Sequence, residues 1–321
     1  MRQHAVCRVT LALITLLAAV PLFAQTYPTK PIQVIIGFPP GTVVDVVARA
    51  VGNEMAKRLG QPIVLEFKPG ASGTIGAKYV VNARPDGYTL YYGNTLISHA
   101  LFNKENAVDA AKELAPVSRF VTVPFFFVAR ASLPVQSLPE LIAYTKANPE
   151  QLKYGAPSQT TDLIMQMLKN RSGISARSIP YKGAPQAVVA LLGGEIDLGF
   201  APVQPYLSNI QAGSIRALFV ASPKRFSVLP NVPTAAELGL PNLELAFNFG
   251  LWAPLGTPQD IRSKLSAEAV AALRIPAIVE QLRNGAAAEP VGSTPEEQLR
   301  SFEAEVRFWT EAARAANFQP Q

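Results

Sequence analysis

The stretch IQVIIGFPPGTVVDVVARAVGNEMAKRLG, residues 32–60, decides the fold. Its first part, Ile32 to Phe38, is a nearly continuous apolar run of the kind found in strands buried on both faces, which are usually parallel and covered by helices. Pro39-Pro40-Gly41-Thr42 then forces a tight loop. Beyond it Val43, Val46, Val47, Ala50, Val51, Met55 and Leu59 recur at helical spacing, and Gly60 supplies the stop. Thr42 stands where a helix cap belongs, and Asp45 three residues later has capping-box spacing. The segment reads as a strand, a Pro/Gly loop and the N-terminus of a helix.

The same alternation recurs outward from it. Ile63 to Phe67 is a strand, Lys68 to Ser72 a glycine-containing loop, and Gly73 to Ala83 a short helix. Pro85-Asp86-Gly87 is a turn, and Tyr88 to Tyr92 is rich in strand formers. Further on, strands are expected at Pro124 to Val128, near Tyr154, at Ala176 to Tyr181, Asp197 to Phe200, Ile215 to Ala221 and Phe247 to Ala253. Helices are expected after Ser137, which has Glu140 in capping-box position, at Thr161 to Asn170 and at Pro185 to Leu192. Thr234 with Glu237 caps one short helix inside the loop Pro230 to Pro241, and Thr257-Pro258 caps a long helix. Thr294-Pro295 starts a final amphipathic helix with Phe302, Val306 and Trp309 on one face. This order predicts an α/β layer architecture with a mostly parallel sheet. It also predicts two lobes, residues 25–123 with 247–321 as the first and 124–246 as the second, with Pro124 to Val128 and Phe247 to Ala253 as crossing strands.

Composition narrows the chemistry. The chain has 321 residues, 49% hydrophobic and 16% charged, enough for a sizeable core. Residues 1–24 read as an export signal: Arg2, His4 and Arg8 precede an uncharged apolar run from Val9 to Leu22, and Leu22-Phe23-Ala24 suits cleavage. The only cysteine, Cys7, precedes that run, so the exported chain is expected to carry neither a lipid on cysteine nor a disulfide. With His4 also removed, His99 is the one remaining imidazole, which leaves no His-rich metal site and one candidate base of the usual kind. Gly70, Gly73 and Gly76 match neither nucleotide-binding pattern. No G-x-S-x-G elbow is present, and the pairs Asp109/Glu113 and Glu296/Glu297 fall on charged, solvated helices. The basic residues are dispersed, so no nucleic-acid surface is indicated.

What remains is a device for holding a small ligand. The loop Phe38 to Thr42, with Pro40 and Gly41 shaping it and Asp45 behind it, ends a strand and opens a helix, so unpaired backbone N–H groups and the positive helix end face the crevice at the strand's carboxyl edge. Gly93, Asn94 and Thr95 occupy the equivalent place after another strand, as do Ser158, Gln159, Thr160 and Thr161 in the second lobe. Gly183, Ala184, Ala201 and Pro202 complete the candidate ligand-binding set. No lysine or arginine lies in the loops Phe38 to Thr42, Gly93 to Thr95 or Ala156 to Thr161.

The motifs Tyr27-Pro28, Lys30-Pro31-Ile32, Phe38-Pro39-Pro40-Gly41 with Asp45 and Ala48-Arg49, Pro69-Gly70-Ala71-Ser72-Gly73 and Pro85-Asp86-Gly87-Tyr88-Thr89 resemble the Bug family. These are the extracytoplasmic solute-binding proteins of tripartite tricarboxylate transporters. The resemblance continues in order through Pro180 to Pro185, Gly193 to Asp197, Pro230 to Thr234 with Glu237, and Ala253 to Pro258. It implies a two-lobed periplasmic binding protein fold, type II-like, that closes on a small carboxylate and delivers it to membrane transporter subunits. A periplasmic monomer that needs no cofactor and is not an enzyme is expected. Thr42 stands where the family has a second glycine, Val44 where it usually has threonine, and Asp162 adds a negative charge at the second lobe's loop. A sensor for a receptor kinase and a carboxylate-based hydrolase are the competing readings. Chromosomal neighbours separate the first, and turnover of a substrate panel separates the second.

Overall fold

The apolar run after Pro31 becomes β1 (Ile32–Ile36), which is central to its sheet and buried on both faces. It pairs in parallel with β2 (Ile63–Phe67) on one side and β3 (Thr89–Gly93) on the other, with Gln33 opposite both Val64 and Thr89. Between β1 and β2 runs α1 (Val43–Leu59), which lays Val44, Val47, Val51 and Met55 against the sheet. It ends at Gly60, whose φ of 69° is the left-handed conformation that a helix stop requires. The computed structural model describes residues 27–94, 107–149, 151–157, 159–182, 184–241, 243 and 245–315. The expected export signal, His99 and Cys7 lie outside them.

After α2 (Thr74–Val81) and α3 (Ala110–Glu113) comes a strand much longer than expected, β4 (Leu114–Arg130). Only Pro124 to Val128 was legible as strand. Pro116 and Pro124 lack the N–H that a central strand donates, and Ser118 and Arg119 interrupt the apolar run. The register shifts between Pro116 and Ser118, between Arg119 and Val121, and between Phe127 and Val128, where bulges absorb these irregularities.

This strand belongs to two sheets. Residues 114–124 pair with β9 (Ala246–Pro254), and β10 (Glu289–Pro290) adds Thr122 and Val121 as partners. Residues 125–130 pair with β7 (Leu198–Pro202) and β8 (Ile215–Val220). All these pairings are antiparallel, which corrects the expectation of a mostly parallel sheet: the parallel strands are the outer ones, β1 to β3 and β5 (Lys153–Ala156) with β6 (Arg177–Pro180) and β7. A strand that crosses between sheets and a strand that returns beside it must run in opposite directions. The return is made at Leu245, whose N–H bonds Ala221 O at 2.8 Å and whose carbonyl accepts from Phe125 N–H at 3.0 Å.

Helices α4 (Leu138–Ala147), α5 (Gln159–Ser172), α6 (Ala184–Gly193) and α7 (Leu207–Gln211) belong to the second sheet. Helices α8 (Gln259–Leu273), α9 (Pro276–Ala286) and α10 (Pro295–Ala315) follow β9. The single long helix expected after Thr257-Pro258 is broken at Arg274–Ile275, because Pro276 cannot continue a helix but opens one at its first position. Thr257 does not cap α8 either: its hydroxyl donates to Pro254 O at 2.8 Å, and Pro258 takes the cap position. The Thr234/Glu237 box does form, with Thr234 N–H to Glu237 at 2.8 Å and Glu237 N–H to Thr234 Oγ1 at 3.2 Å. In α10 Phe302 stacks edge-on against Trp252 at 5.4 Å, and the helix continues far enough to pack against α5 of the second sheet.

Gly52 sits inside α1 facing β2, where an added Cβ would meet Ile63 at 3.5 Å and Leu65 at 4.0 Å, ordinary contact distances. A void of about 10 Å³ lies beside it, bounded also by Met55 and Tyr92. Gly52→Ala is therefore expected to stabilise the fold by roughly 0.5–1 kcal/mol, through helix propensity and lost unfolded-state freedom. Urea denaturation measures it; a destabilised variant would mean the helix lies closer to β2 than described.

Candidate functional site

The loop after β1 turns on Gly41, whose φ of 80° places it in the left-handed region. Thr42 has the extended backbone of a cap residue, but its hydroxyl does not cap α1; it donates to Pro39 O at 2.9 Å. Asp45 reaches past Thr42 and accepts from Gly41 N–H at 2.8 Å, while Arg49 Nε holds its other oxygen at 2.6 Å. The capping-box expectation is corrected accordingly. The tight Pro-Pro turn brings Pro39 O within reach of the Thr42 hydroxyl, and the positive φ swings the Gly41 N–H over the helix end. The first-turn N–H groups of a helix lack intrahelical acceptors, and here the residues that carry them, Val43 and Val44, line an open space.

That space is a cavity of about 430 Å³ between the two sheets. Of the expected ligand residues, Phe38, Gly41, Thr42, Asn94, Thr161, Ala184, Ala201 and Pro202 line it. Pro40 is exposed beside it without lining it, and Gly93 is buried within β3 opposite Gly250. Asp45 is turned toward Gly41 and Arg49. Thr95, Ser158 and Gly183 lie outside the described residues, and Gln159 and Thr160 are placed only as the first residues of α5.

Sequence reasoning missed Val43, Val44, Val123, Pro185, Gln204, Pro205, Phe247 and Phe249 in this lining, whereas Pro157 belongs to the expected loop Ala156 to Thr161. For Phe247 and Phe249 a signal existed: in the strand FNFGLWA they alternate onto one face. Nothing local reveals that this face looks onto a loop 200 residues earlier in the chain.

Three helix N-termini meet the cavity, those of α1 from the first sheet and of α5 and α6 from the second, through Thr42 and Val43, Thr161, and Ala184 and Pro185. No lysine, arginine, aspartate or glutamate is among the described lining residues. The field inside is set by helix ends, which favour an anion. Asp162, in the first turn of α5, is turned elsewhere: it accepts from Tyr154 OH at 2.5 Å, from Ser178 Oγ at 2.8 Å and from Gln166 Nε2 at 3.0 Å. Burial, with the Asp162 carboxylate as its acceptor, keeps the Tyr154 hydroxyl protonated well above its usual range. The negative charge at the mouth of α5 is thus occupied.

Asn94, buried at the end of β3, separates the cavity from a chamber of about 20 Å³ lined by Arg119, Asn248, Trp252, Gln298, Ser301 and Glu305, among others. Arg119 Nη1 donates to Ser301 Oγ at 2.7 Å, and Thr122 Oγ1 donates to Asn248 Oδ1 at 2.7 Å. The Glu305 stem is half-buried and its Oε1 is fully buried with no hydrogen-bond partner. Burial pushes its carboxyl up to about 7, opposed by a hydrogen bond from Asn248 and by the charge of Arg119. The chamber is large enough for one water molecule.

Comparison with known proteins fits this geometry. The family model described as tripartite tricarboxylate transporter family receptor matches residues 47–312. Protein BugT of Bordetella pertussis is 35% identical over 302 residues, covering 92% of each chain. The structure of the periplasmic binding protein BugD superposes with a TM-score of 0.75 at 30% identity, covering 92% of this chain and all of BugD. Rpa4515 of R. palustris, solved with adipate, superposes with a TM-score of 0.79 at 32% identity over 92% of this chain and 100% of its own. The fold is that of the two-lobed periplasmic binding proteins, and the chain belongs to the family of tripartite tricarboxylate transporter receptors.

Proposed function

We propose that this chain is an exported receptor that captures a small organic carboxylate between two lobes and delivers it to the membrane subunits of a tripartite tricarboxylate-type transporter. The observation that carries this reading is the cavity itself: helix N-termini from both sheets converge on it, and no charged side chain is among its described lining residues. The lobes are residues 25–123 with 247–321 and residues 124–246, and the export signal is residues 1–24. The role is capture, not catalysis. Adipate bound to Rpa4515 supports a carboxylate as the ligand class.

Energetics permit this without a cation. A helix terminus contributes ~0.3–1 kcal/mol toward an anion, and more when partly buried. Hydrogen bonds to a charged group contribute ~1.5–3 kcal/mol each. Three termini with one such hydrogen bond each give roughly 5–12 kcal/mol before ordering costs, a span that contains the ~8 kcal/mol of a micromolar complex. Closure follows if the ligand completes contacts that exist only when both lobes engage it.

Calorimetric titration with a carboxylate panel, combined with small-angle scattering at saturation, tests the reading. Binding with a reduced radius of gyration is expected. Binding with an unchanged scattering profile would remove lobe closure from the mechanism, and no carboxylate binding would remove the function.

A further inference from the structure

We propose that the ligand is a dicarboxylate whose two acid groups are joined by an unsubstituted hydrocarbon, aliphatic or aromatic, and that the site selects it over hydroxylated and tricarboxylic acids. This rests on the reading of the cavity as the ligand site and goes further, because the ligand's body is read from the wall between the helix ends.

That wall is apolar and held in place. Phe38 and Phe249 meet edge-to-face with ring centroids 6.5 Å apart, and Phe247 and Phe249 do so at 6.4 Å. Phe247 is braced in turn by Phe125 from β4, at 4.8 Å and 79°. Edge-to-face packing of this kind fixes ring planes, so the surface is preformed. Val123 of the crossing strand and Ala201 at the end of β7 extend the same wall into the second sheet.

The anion-favouring ends that line the cavity come from different sheets, α1 from the first and α5 with α6 from the second. Two carboxylates are matched by that arrangement, and a hydrocarbon is what the wall between them receives. A hydroxyl set against Phe247 and Val123 meets no donor or acceptor in those side chains and loses its water. A third carboxylate has to share the α5 and α6 ends of the second sheet with the ligand's second acid group, with no cationic side chain among the described lining residues to offset the repulsion between them. Discrimination of this kind comes from leaving the wrong ligand's polar groups unpaired.

The test is calorimetric titration of the exported chain with adipate, terephthalate, malate and citrate. One or both of the first two are expected to bind at least about tenfold more tightly than either of the others. Phe249→Ser is expected to weaken the adipate complex about tenfold while changing malate binding less than about threefold. If malate or citrate binds as tightly as adipate and terephthalate, the inference is overturned while the carboxylate receptor stands. If none of the four binds, the inference is overturned, and the receptor reading is decided separately by the wider carboxylate panel. The ligand ranking is read on the unaltered chain, so it holds even where the variant fails to fold.

Discussion

Gly41→Val is expected to weaken ligand binding by about 100-fold or more while leaving the chain folded. Gly41 has a φ of 80°, a region that costs a branched L residue ~1–2 kcal/mol or more, so the loop has to reorganise toward negative φ. Reorganisation carries the Gly41 N–H away from Asp45 and re-aims the start of α1, whose Thr42 and Val43 line the cavity. Two lost hydrogen bonds to a charged group amount to ~3–6 kcal/mol, which is more than two decades of affinity. The fold is spared because a Cβ at Gly41 has nothing within 4 Å and the residue is exposed. Calorimetry with a ligand established on the parent chain measures the loss, and urea denaturation checks stability. Parent-level affinity would show that this loop does not hold the ligand.

Glu305→Gln, in α10, is expected to flatten the pH dependence of stability. In the folded chain burial holds this carboxyl up to about 7, against an unperturbed 4.5. Between those values the folded chain keeps a proton that the unfolded chain has lost, so stability falls as pH rises through the window. Above the window the folded chain must bury an ionised carboxylate. The penalty is roughly 3 kcal/mol, with what Arg119 and Asn248 offset already included in it. Gln keeps the shape and an acceptor for Asn248 but carries no charge. The variant should therefore match the parent near pH 4.5 and exceed it in stability at pH 8. A stability difference between the two chains that stays constant from pH 4.5 to 8 would show that Glu305 titrates normally.

The sequence was most informative where one segment carries its own instructions. Strand β2 has the bounds that its residues predicted, and α1 ends at the glycine expected to end it. Such elements are set by apolar periodicity and by residues with special backbone freedom, both readable over a few positions. The capping residues were less legible, because a hydroxyl or carboxylate has several backbone groups within reach. Thr42 chose Pro39 O and Asp45 chose Gly41 N–H, and only the turn geometry distinguishes these from the capping box.

The candidate site divides along the same line. Loops at strand ends that open helices, Phe38 to Thr42 and the run before α5, were visible as places where a ligand meets backbone N–H groups. The wall that faces those loops was not, since Phe247, Phe249 and Val123 lie on β9 and β4 and read as ordinary buried strand residues. Likewise, nothing local showed that Asp162 would be held by Tyr154 and Ser178 and not face the cavity.

By itself the sequence determined the alternation of strand and helix, the placement of helix N-termini at strand ends and the absence of cationic side chains from the loops between them. These follow from local spacing and composition, which any contiguous window displays. Only the tertiary structure decided that β4 serves two sheets, that the connecting strands run antiparallel, and that an aromatic wall closes the space between three helix ends. Each of these depends on pairings between residues far apart in the chain, from Ala129 with Leu198 to Phe38 with Phe249. Such pairings are selected by how the whole chain buries its apolar surface and satisfies its backbone hydrogen bonds at once, a condition that no short window of residues contains.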